Sequence, residues 1–349
     1  MKLLVSSLEP SANLHLEPIL EKLDNCELFG IFDEKFGNPY LPSSAFSIMG
    51  FLDVLPKIKK AKKAIKKMVE LSFGVDKVLL IDSPAFNLPL AKAIKEKNPD
   101  VQIIYYILPQ VWAWKAKRVK KVEKYCDVLA SVLPFESRFY NRSKFIGHPL
   151  IDEIKKYKTR YEELGTVCFL PGSRKSEIKA LMPIFRELAT KIDKRLLLVI
   201  PPFFTQEKID EIYGDISAFE ISRDAKEAFE QSEFAFVCSG TATLEAALIG
   251  TPFVLAYKAK KIDYMIAKKF VKLKYIGLAN ILLDFAGYSQ LHIELLQEDV
   301  NVENIFSEYK NMDREKFFKK ALLLRKILHK GSLNEMLDII TKKDNGRGE

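Results

Sequence analysis

Short runs of apolar, often β-branched residues alternate along this chain with longer stretches whose apolar residues recur at three- and four-residue spacing. Lys2–Ser6 reads as a buried strand, followed by helical spacing from about Ala12 to Leu23. Glu27–Phe32, Lys77–Asp82, Val101–Ile107 and Asp127–Val132 are further strand-length runs, with helical periodicity over 86–97 and 115–125. The second half restarts the pattern at Thr166–Leu170, Leu196–Ile200, Ala218–Ile221, Phe234–Val237 and Phe253–Ala256, with helices such as 176–192 and 242–249 between them. From residue 301 onward the spacing is helical. Strands that are apolar throughout and separated by helices predict parallel sheets covered on both faces. A stretch rich in Lys, Tyr and Glu over 152–164 is the natural linker. The expected fold is therefore α/β: two doubly wound halves facing a central cleft, with C-terminal helices packing back toward the first. The expected divisions are 1–155, 156–325 and a helical tail over 326–349.

Length and composition agree with this picture. The 349 residues exceed what one core of roughly 250 residues fills, so two domains are expected. At 48% apolar and 29% charged, the composition is that of an ordered protein. Four cysteines, at 26, 126, 168 and 238, form no CxxC pair, which predicts free thiols in a reducing cytoplasm and no metal site. The first ten residues lack a signal-peptide pattern, and no run approaches the roughly 18 apolar residues of a membrane span, so a soluble protein is expected.

Charge is distributed unevenly. Of the net +9, residues 1–150 carry +7, and within 51–150 the balance reaches +11. Such a bias suits an anionic partner: a phosphorylated substrate, an acidic lipid surface or nucleic acid. No zinc-finger, RRM, KH or helix-turn-helix pattern accompanies it, which argues against nucleic acid. Between Met49 and Met68, Phe51, Leu52, Leu55, Ile58, Ile65 and Met68 recur at helical spacing, while seven lysines fall between 57 and 67. Met49, Phe51, Leu52, Lys59 and Lys63 are the candidates for contact with an anionic membrane surface. The alternative is a surface helix whose stripe lies in the core. Further basic clusters occupy Lys115–Lys124 and Lys258–Lys274.

Ligands of open α/β sheets sit beyond the carboxyl ends of the strands, so the turns there carry the candidate chemistry. After Thr166–Leu170 comes Pro171-Gly172-Ser173-Arg174. Here Gly172 permits a tight turn, Ser173 suits a helix start and Arg174 can fork onto a phosphate, or the four form an ordinary turn with a surface arginine. After Phe234–Val237 comes Cys238-Ser239-Gly240-Thr241-Ala242-Thr243-Leu244-Glu245, whose small residues leave helix N-terminal N–H groups free for a diphosphate. Glu245 can bind sugar hydroxyls from one turn inside, or simply favour the positive end of the helix. There is no P-loop lysine and no GxGxxG. In the first half, strand 77–81 ends at Asp82-Ser83-Pro84-Ala85-Phe86-Asn87, where Asp82 is either a general base or a turn-forming cap. Pro109-Gln110-Val111-Trp112-Ala113-Trp114 holds both tryptophans, which can line an acceptor pocket or pack internally. The histidines at 15, 148, 292 and 329 join no catalytic motif.

Taken in order, these turns resemble the lipid-A-disaccharide synthase family of two-Rossmann-domain, GT-B type glycosyltransferases. The resemblance runs from Ile81-Asp82-Ser83-Pro84 and Pro109–Trp114 through Leu133-Pro134-Phe135-Glu136, Phe145-Ile146-Gly147-His148-Pro149 and Leu170–Arg174. It ends with Ser239–Glu245, Leu278-Ala279-Asn280 and Glu294-Leu295-Leu296-Gln297-Glu298. It implies inverting transfer of a diacylglucosamine from its UDP-sugar to the 6-hydroxyl of diacylglucosamine 1-phosphate, in lipid A biosynthesis, without metal or cofactor. By that resemblance Asp82 is the base, and Ser173, Arg174, Ser239, Gly240, Thr241, Thr243, Glu245, Asn280 and Gln297 hold the donor. Glu9, Ser11, Asn87 and Trp112 lie on the acceptor side, and the protein associates peripherally with the inner membrane. A UDP-sugar epimerase or another glycosyltransferase of the same fold is the alternative. The helical tail can cross back onto the first domain or exchange with a second copy in a homodimer. The chain departs from the family in its first turn, where Leu8-Glu9-Pro10-Ser11-Ala12-Asn13 replaces a glycine-containing Gly-Glu-x-Ser-Gly-Asp, so this turn must run differently or pack against a different group. Ala85 likewise stands where members often carry a second acid.

Overall fold

The structure, a computed structural model, describes residues 1–47, 54–258 and 273–342. Its described residues form two compact units, one of Met1–Asp152 together with the segment from Lys330 onward, the other of Glu153–His329. The first unit is built on seven strands: β1 (Lys2–Ser6), β2 (Glu27–Phe32), β3 (Leu41–Pro42), β4 (Lys77–Ile81), β5 (Gln102–Tyr106), β6 (Val128–Ser131) and β7 (Ser143–Phe145). They lie in the order β3-β2-β1-β4-β5-β6-β7, every pair parallel. The second is built on β8 (Thr166–Leu170), β9 (Arg195–Val199), β10 (Glu220–Ser222), β11 (Phe234–Val237), β12 (Phe253–Tyr257) and β13 (Glu294–Leu296), in the parallel order β10-β9-β8-β11-β12-β13.

Each sheet places its first strand centrally and reverses direction beside it, between β1 and β4 and between β8 and β11. These are the switch points of a doubly wound fold, where ligands gather. Leu3, Leu4, Val5 and all five residues of β4 are buried, as are all five of β8 and all four of β11, which is why these strands read as unbroken apolar runs. The expected strand over Lys77–Asp82 stops at Ile81, because Asp82 leaves the extended region. The short strands β3, β7 and β13 span two or three residues and carry no periodicity of their own.

In the helix Val54–Leu71, Ala64 and Met68 belong to the first core, with Ala61, Ile65 and Val69 packed against it. Over this portion the apolar stripe therefore faces inward, while Lys59, Lys60, Lys62, Lys63 and Lys66 are exposed. Met49, Phe51 and Leu52 lie outside the described residues, as does most of Lys258–Lys274.

The chain returns to the first unit at Lys330, and the helix Leu333–Thr341 packs against the helix Pro10–Lys22. Asp152 accepts the backbone N–H groups of Ser332 (2.7 Å) and Leu333 (3.0 Å), and the Tyr106 and Ser332 hydroxyls lie 2.7 Å apart. Buried Lys77 donates to the carbonyl of Ile339 at 3.0 Å, a cation at the helix C-terminal end. The return demands close backbone approach at Gly147, whose φ is +102° and where an added Cβ would overlap the Gly331 carbonyl.

Gly147→Ala is expected to destabilise the first unit by roughly 3 kcal/mol, combining left-handed strain with overpacking. Gly74→Ala, where a Cβ would meet nothing within 4 Å, should stay within about 0.5 kcal/mol of the parent. Denaturant unfolding of both variants checks this, and equal midpoints would contradict the close-approach argument.

Candidate active site

At the end of β4 the chain enters the helix Pro84–Lys97, and proline at its first position steers the preceding residue out of the right-handed region. Asp82 and Ser83 take left-handed φ values of +47° and +44°. Two successive non-glycine residues there cost about 1–2 kcal/mol each, so other contacts must hold the turn. Asn87 donates from Nδ2 to the carbonyls of Ile81 (3.1 Å) and Asp82 (2.8 Å), while its Oδ1 accepts from the Ser6 hydroxyl at 2.6 Å. The Tyr105 hydroxyl donates to the Asp82 carbonyl at 2.7 Å, and the Asp82 N–H donates to the Tyr106 carbonyl at 3.0 Å. This clamp presents a half-buried carboxyl at the strand end. Burial is the main reason that the Asp82 pKa lies above the ordinary carboxylate value. The Ser83 N–H opposes the rise, the Glu9 charge adds to it and the His15 charge opposes it.

The expected acceptor contacts divide. Asn87 is fully buried and its amide is spent on the clamp, so it positions Asp82 instead of facing a ligand. Trp112 is also buried, with its indole N–H donating to Glu136 Oε1 at 3.2 Å and its ring edge-on to Phe135 at 5.3 Å. Glu136 accepts from the Ser131 hydroxyl at 2.6 Å as well, and burial raises its pKa to about 7 against these bonds. The exposed tryptophan is Trp114, 44% accessible. Glu9 and Ser11 are exposed on the first turn. That turn does run without glycine: no residue from 7 to 13 has a positive φ. Pro10 opens the helix Pro10–Lys22, Leu8 joins the core, and Asn13 bonds the Glu9 carbonyl (3.0 Å) and the Asp33 N–H (3.0 Å). His15 is the neighbour of Asp82 that motif reasoning passes over. Its signal was the i,i+4 spacing from Ser11, which places both on one helix face.

In the second unit, the pairing of Leu170 with Val237 sets two turns side by side. Gly172, at φ +102°, has no room for a side chain: a Cβ would lie 2.6 Å from Glu177 Oε2 and 3.2 Å from Cys238 Sγ. Arg174 caps the helix Lys175–Ala189, giving one guanidinium N–H to Glu177 at 2.8 Å while its side chain stays 77% exposed. With five donors on the guanidinium, most of the fork faces outward. Gly240, at φ +141°, caps the helix Thr241–Ile249 without a side-chain bond, and a Cβ there would meet nothing within 4 Å. The N-terminal N–H groups thus open on unfilled space, as an anion requires. The opposite end is closed by Arg325, which donates to the carbonyls of Leu248 (2.6 Å) and Ile249 (2.9 Å).

Ser173 and Thr241 are exposed and Ser239 and Glu245 half-buried at this edge. Thr243 is fully buried and its hydroxyl donates to the Gly240 carbonyl at 2.8 Å. Asn280 is also fully buried, donating to the His292 carbonyl (3.0 Å) and Glu294 (2.8 Å) and accepting from the Leu291 N–H (2.7 Å). Both shape the site from behind. Gln297 follows β13 with φ +55°, and its buried side-chain nitrogen has no hydrogen-bond partner. A strained residue carrying an orphaned donor at a strand end is a candidate ligand contact. Among the described residues, no cluster of three or more His, Cys, Asp or Glu side chains could hold a metal ion.

A family model described as lipid-A-disaccharide synthetase matches residues 3–337. The chain is 51% identical to the lipid-A-disaccharide synthase of Campylobacter jejuni strain RM1221, over 97% of this chain and 99% of the relative. It is 49% identical to that of Helicobacter pylori strain G27, over 96% of each. Among solved structures, the spinosyn rhamnosyltransferase SpnG superposes with a TM-score of 0.61 at 11% identity, covering 98% of this chain and 100% of that one, which shows the shared GT-B fold alone.

Because its pKa is raised, the Asp82 carboxyl should hold its proton to a higher pH than an ordinary aspartate. Glu9→Gln removes the like charge and is expected to move the titration to lower pH, while His15→Asn removes the opposing charge and should move it higher. Carbon-13 NMR of the carboxyl reads both shifts, and movement in the same direction would contradict the arrangement.

Proposed function

As a member of the lipid-A-disaccharide synthetase family, to which the chain belongs, this protein is a glycosyltransferase of lipid A biosynthesis, and we propose that Asp82 is its general base. In this reading a UDP-linked diacylglucosamine donates its sugar to the 6-hydroxyl of diacylglucosamine 1-phosphate. The hydroxyl oxygen attacks C1 from the face opposite the diphosphate, the C1–oxygen bond to UDP breaks, and the hydroxyl proton passes to the Asp82 carboxylate. One displacement inverts the anomeric centre and leaves a β-1,6 linkage.

The observation that carries the assignment is the clamped, half-buried Asp82 carboxyl with its raised pKa, since a carboxylate made more basic by burial accepts a proton more readily than a surface aspartate does. Charge growing on the departing UDP is offset by Arg174, by the N–H groups at Thr241 and Ala242, and by the Gln297 amide. Ser173, Ser239 and Glu245 complete the donor side, Glu9 and Ser11 the acceptor side. Thr243, Asn280 and Asn87 act through the groups that they hold in place.

Peripheral association with an anionic inner membrane belongs to the same proposal. No described helix is long and apolar enough to cross a bilayer. The exposed lysines of Val54–Leu71 supply an attraction of about 1 kcal/mol each near an anionic surface. A homodimer that exchanged the segment from Lys330 onward would reuse the contacts to Lys77, Tyr106 and Asp152.

Incubation with both lipid precursors should release UDP and a disaccharide product only when the acceptor is present, whereas an epimerase needs the sugar nucleotide alone. Asp82→Asn is expected to lower turnover by about 100-fold or more, and Arg174→Ala by a comparable factor. Wild-type turnover in either variant would remove that residue from the mechanism. Lys59→Glu with Lys63→Glu should weaken binding to anionic vesicles at low salt with unchanged thermal unfolding, and unaltered binding would refute the membrane role of this face.

A further inference from the structure

Immediately beyond β5 the chain carries a concentration of positive charge that the donor and base assignments leave unused. Lys115, Lys117, Arg118 and Lys121 line a cavity of about 260 Å³. None of the four makes an ion pair with a described carboxylate, although described lysines elsewhere repeatedly do, as in Lys35 with Glu17 and Lys95 with Asp127. Four like charges converging without a counterion repel one another, and a multiply charged anion relieves that repulsion. Lys115 holds a left-handed φ of +53°, and its ammonium lies 4.1 Å from the ring centroid of exposed Trp114, with the Arg118 guanidinium 5.2 Å from the same ring. The ring thus gathers two of the cations. Arg118 also opens the helix Arg118–Tyr125, whose positive dipole end adds to the charge there.

The location ties this cavity to the acceptor half of the chemistry. β5 pairs directly with β4, and Asp82 bonds the backbone of Tyr106 and the hydroxyl of Tyr105. Burial pushes the Tyr105 hydroxyl pKa well up, the Asp82 charge adds to that and the Arg118 charge opposes it, so one side chain senses both the carboxylate and the cationic loop. We propose that Lys115, Lys117, Arg118 and Lys121 form the subsite for the phosphate monoester of the acceptor, holding that dianion while the acceptor hydroxyl addresses Asp82. The proposal rests on the function above. An anionic lipid headgroup would use the same chemistry, and the experiment separates the two sources.

The test uses the full-length protein and a variant with all four residues changed to glutamine. In micelles of neutral detergent, KM for diacylglucosamine 1-phosphate is expected to rise about 30-fold or more, with the donor KM unchanged. With diacylglucosamine lacking the phosphate, variant and wild type should have equal KM. Unchanged acceptor KM in neutral micelles overturns the proposal, as does an equal loss for both acceptors. A loss confined to anionic vesicles assigns the cations to lipid headgroups and overturns it too. Isothermal titration with glucosamine 1-phosphate should give heat in the wild type and none in the variant. That binding is read even if no UDP is released, so a failed transferase reading and a failed subsite stay distinguishable.

Discussion

Parallel strand pairing is the constraint from which the candidate site follows. A parallel ladder needs a crossover after every strand, and burial of both faces puts those crossovers on helices. All carboxyl ends of one sheet therefore fall along one edge. Residues far apart in sequence become neighbours there without any contact of their own having to select them: Leu170 with Val237, Ile81 with Tyr106. The close packing of Gly172 against Cys238, and the bonds from Tyr105 and Tyr106 to Asp82, are consequences of register.

The two edges solve opposite electrostatic problems. In the proposed reaction the second unit receives negative charge, and its means are an open helix N-terminus, a half-committed arginine and an orphaned amide. One Arg174 donor is tied to buried Glu177, which fixes the stem of the side chain while leaving the rest of the fork for a ligand. In the same proposal the first unit keeps a carboxylate both basic and in place. Asn87 achieves this through the backbone, bonding the Asp82 carbonyl and leaving the carboxyl itself unneutralised. A direct cation partner would have lowered its pKa and weakened it as a base.

Sequence reading and structure agree most closely where local pattern carries the information. Apolar runs of four or five residues marked the central strands because both faces are buried, and the turns after them followed. Asp82, Arg174 and the Ser239–Thr241 bend were legible on that basis. What the sequence could not rank was which polar residue of a motif faces outward. Asn87, Thr243 and Asn280 look as ligand-like as Gln297 or Ser173, yet each spends its polar atoms on bonds inside the protein. Hydrogen bonding inside the protein distinguishes the two uses, since Gln297 is buried as well but leaves its side-chain nitrogen unpaired. The tryptophans show the same ambiguity, since Trp112 and Trp114 differ by two positions and one is buried while the other stands 44% exposed. The lysine-rich helix was ambiguous for another reason: an apolar stripe pairs equally well with a core or a bilayer, and its Ala64 and Met68 resolve to the core.

The first turn forms here without the glycines of the Gly-Glu-x-Ser-Gly-Asp pattern. Glycine is useful there only if the backbone takes positive φ or another chain approaches too closely for a side chain. Neither condition holds between residues 7 and 13, where Glu9 has φ −104° and Pro10 supplies the helical φ of the next position. Leu8 then has a side chain to bury, which a glycine lacks, and it adds to the core behind β1. Asn13, replacing an acid, can both donate and accept, joining the Glu9 carbonyl to the Asp33 N–H as a carboxylate could not. Glu9 is the carboxylate whose charge adds to the burial that raises the Asp82 pKa. Leu8, Ala12 and Asn13 thus stand in place of two glycines and an acid in a turn of ordinary φ, and Glu9 remains within electrostatic reach of the strand-end carboxyl.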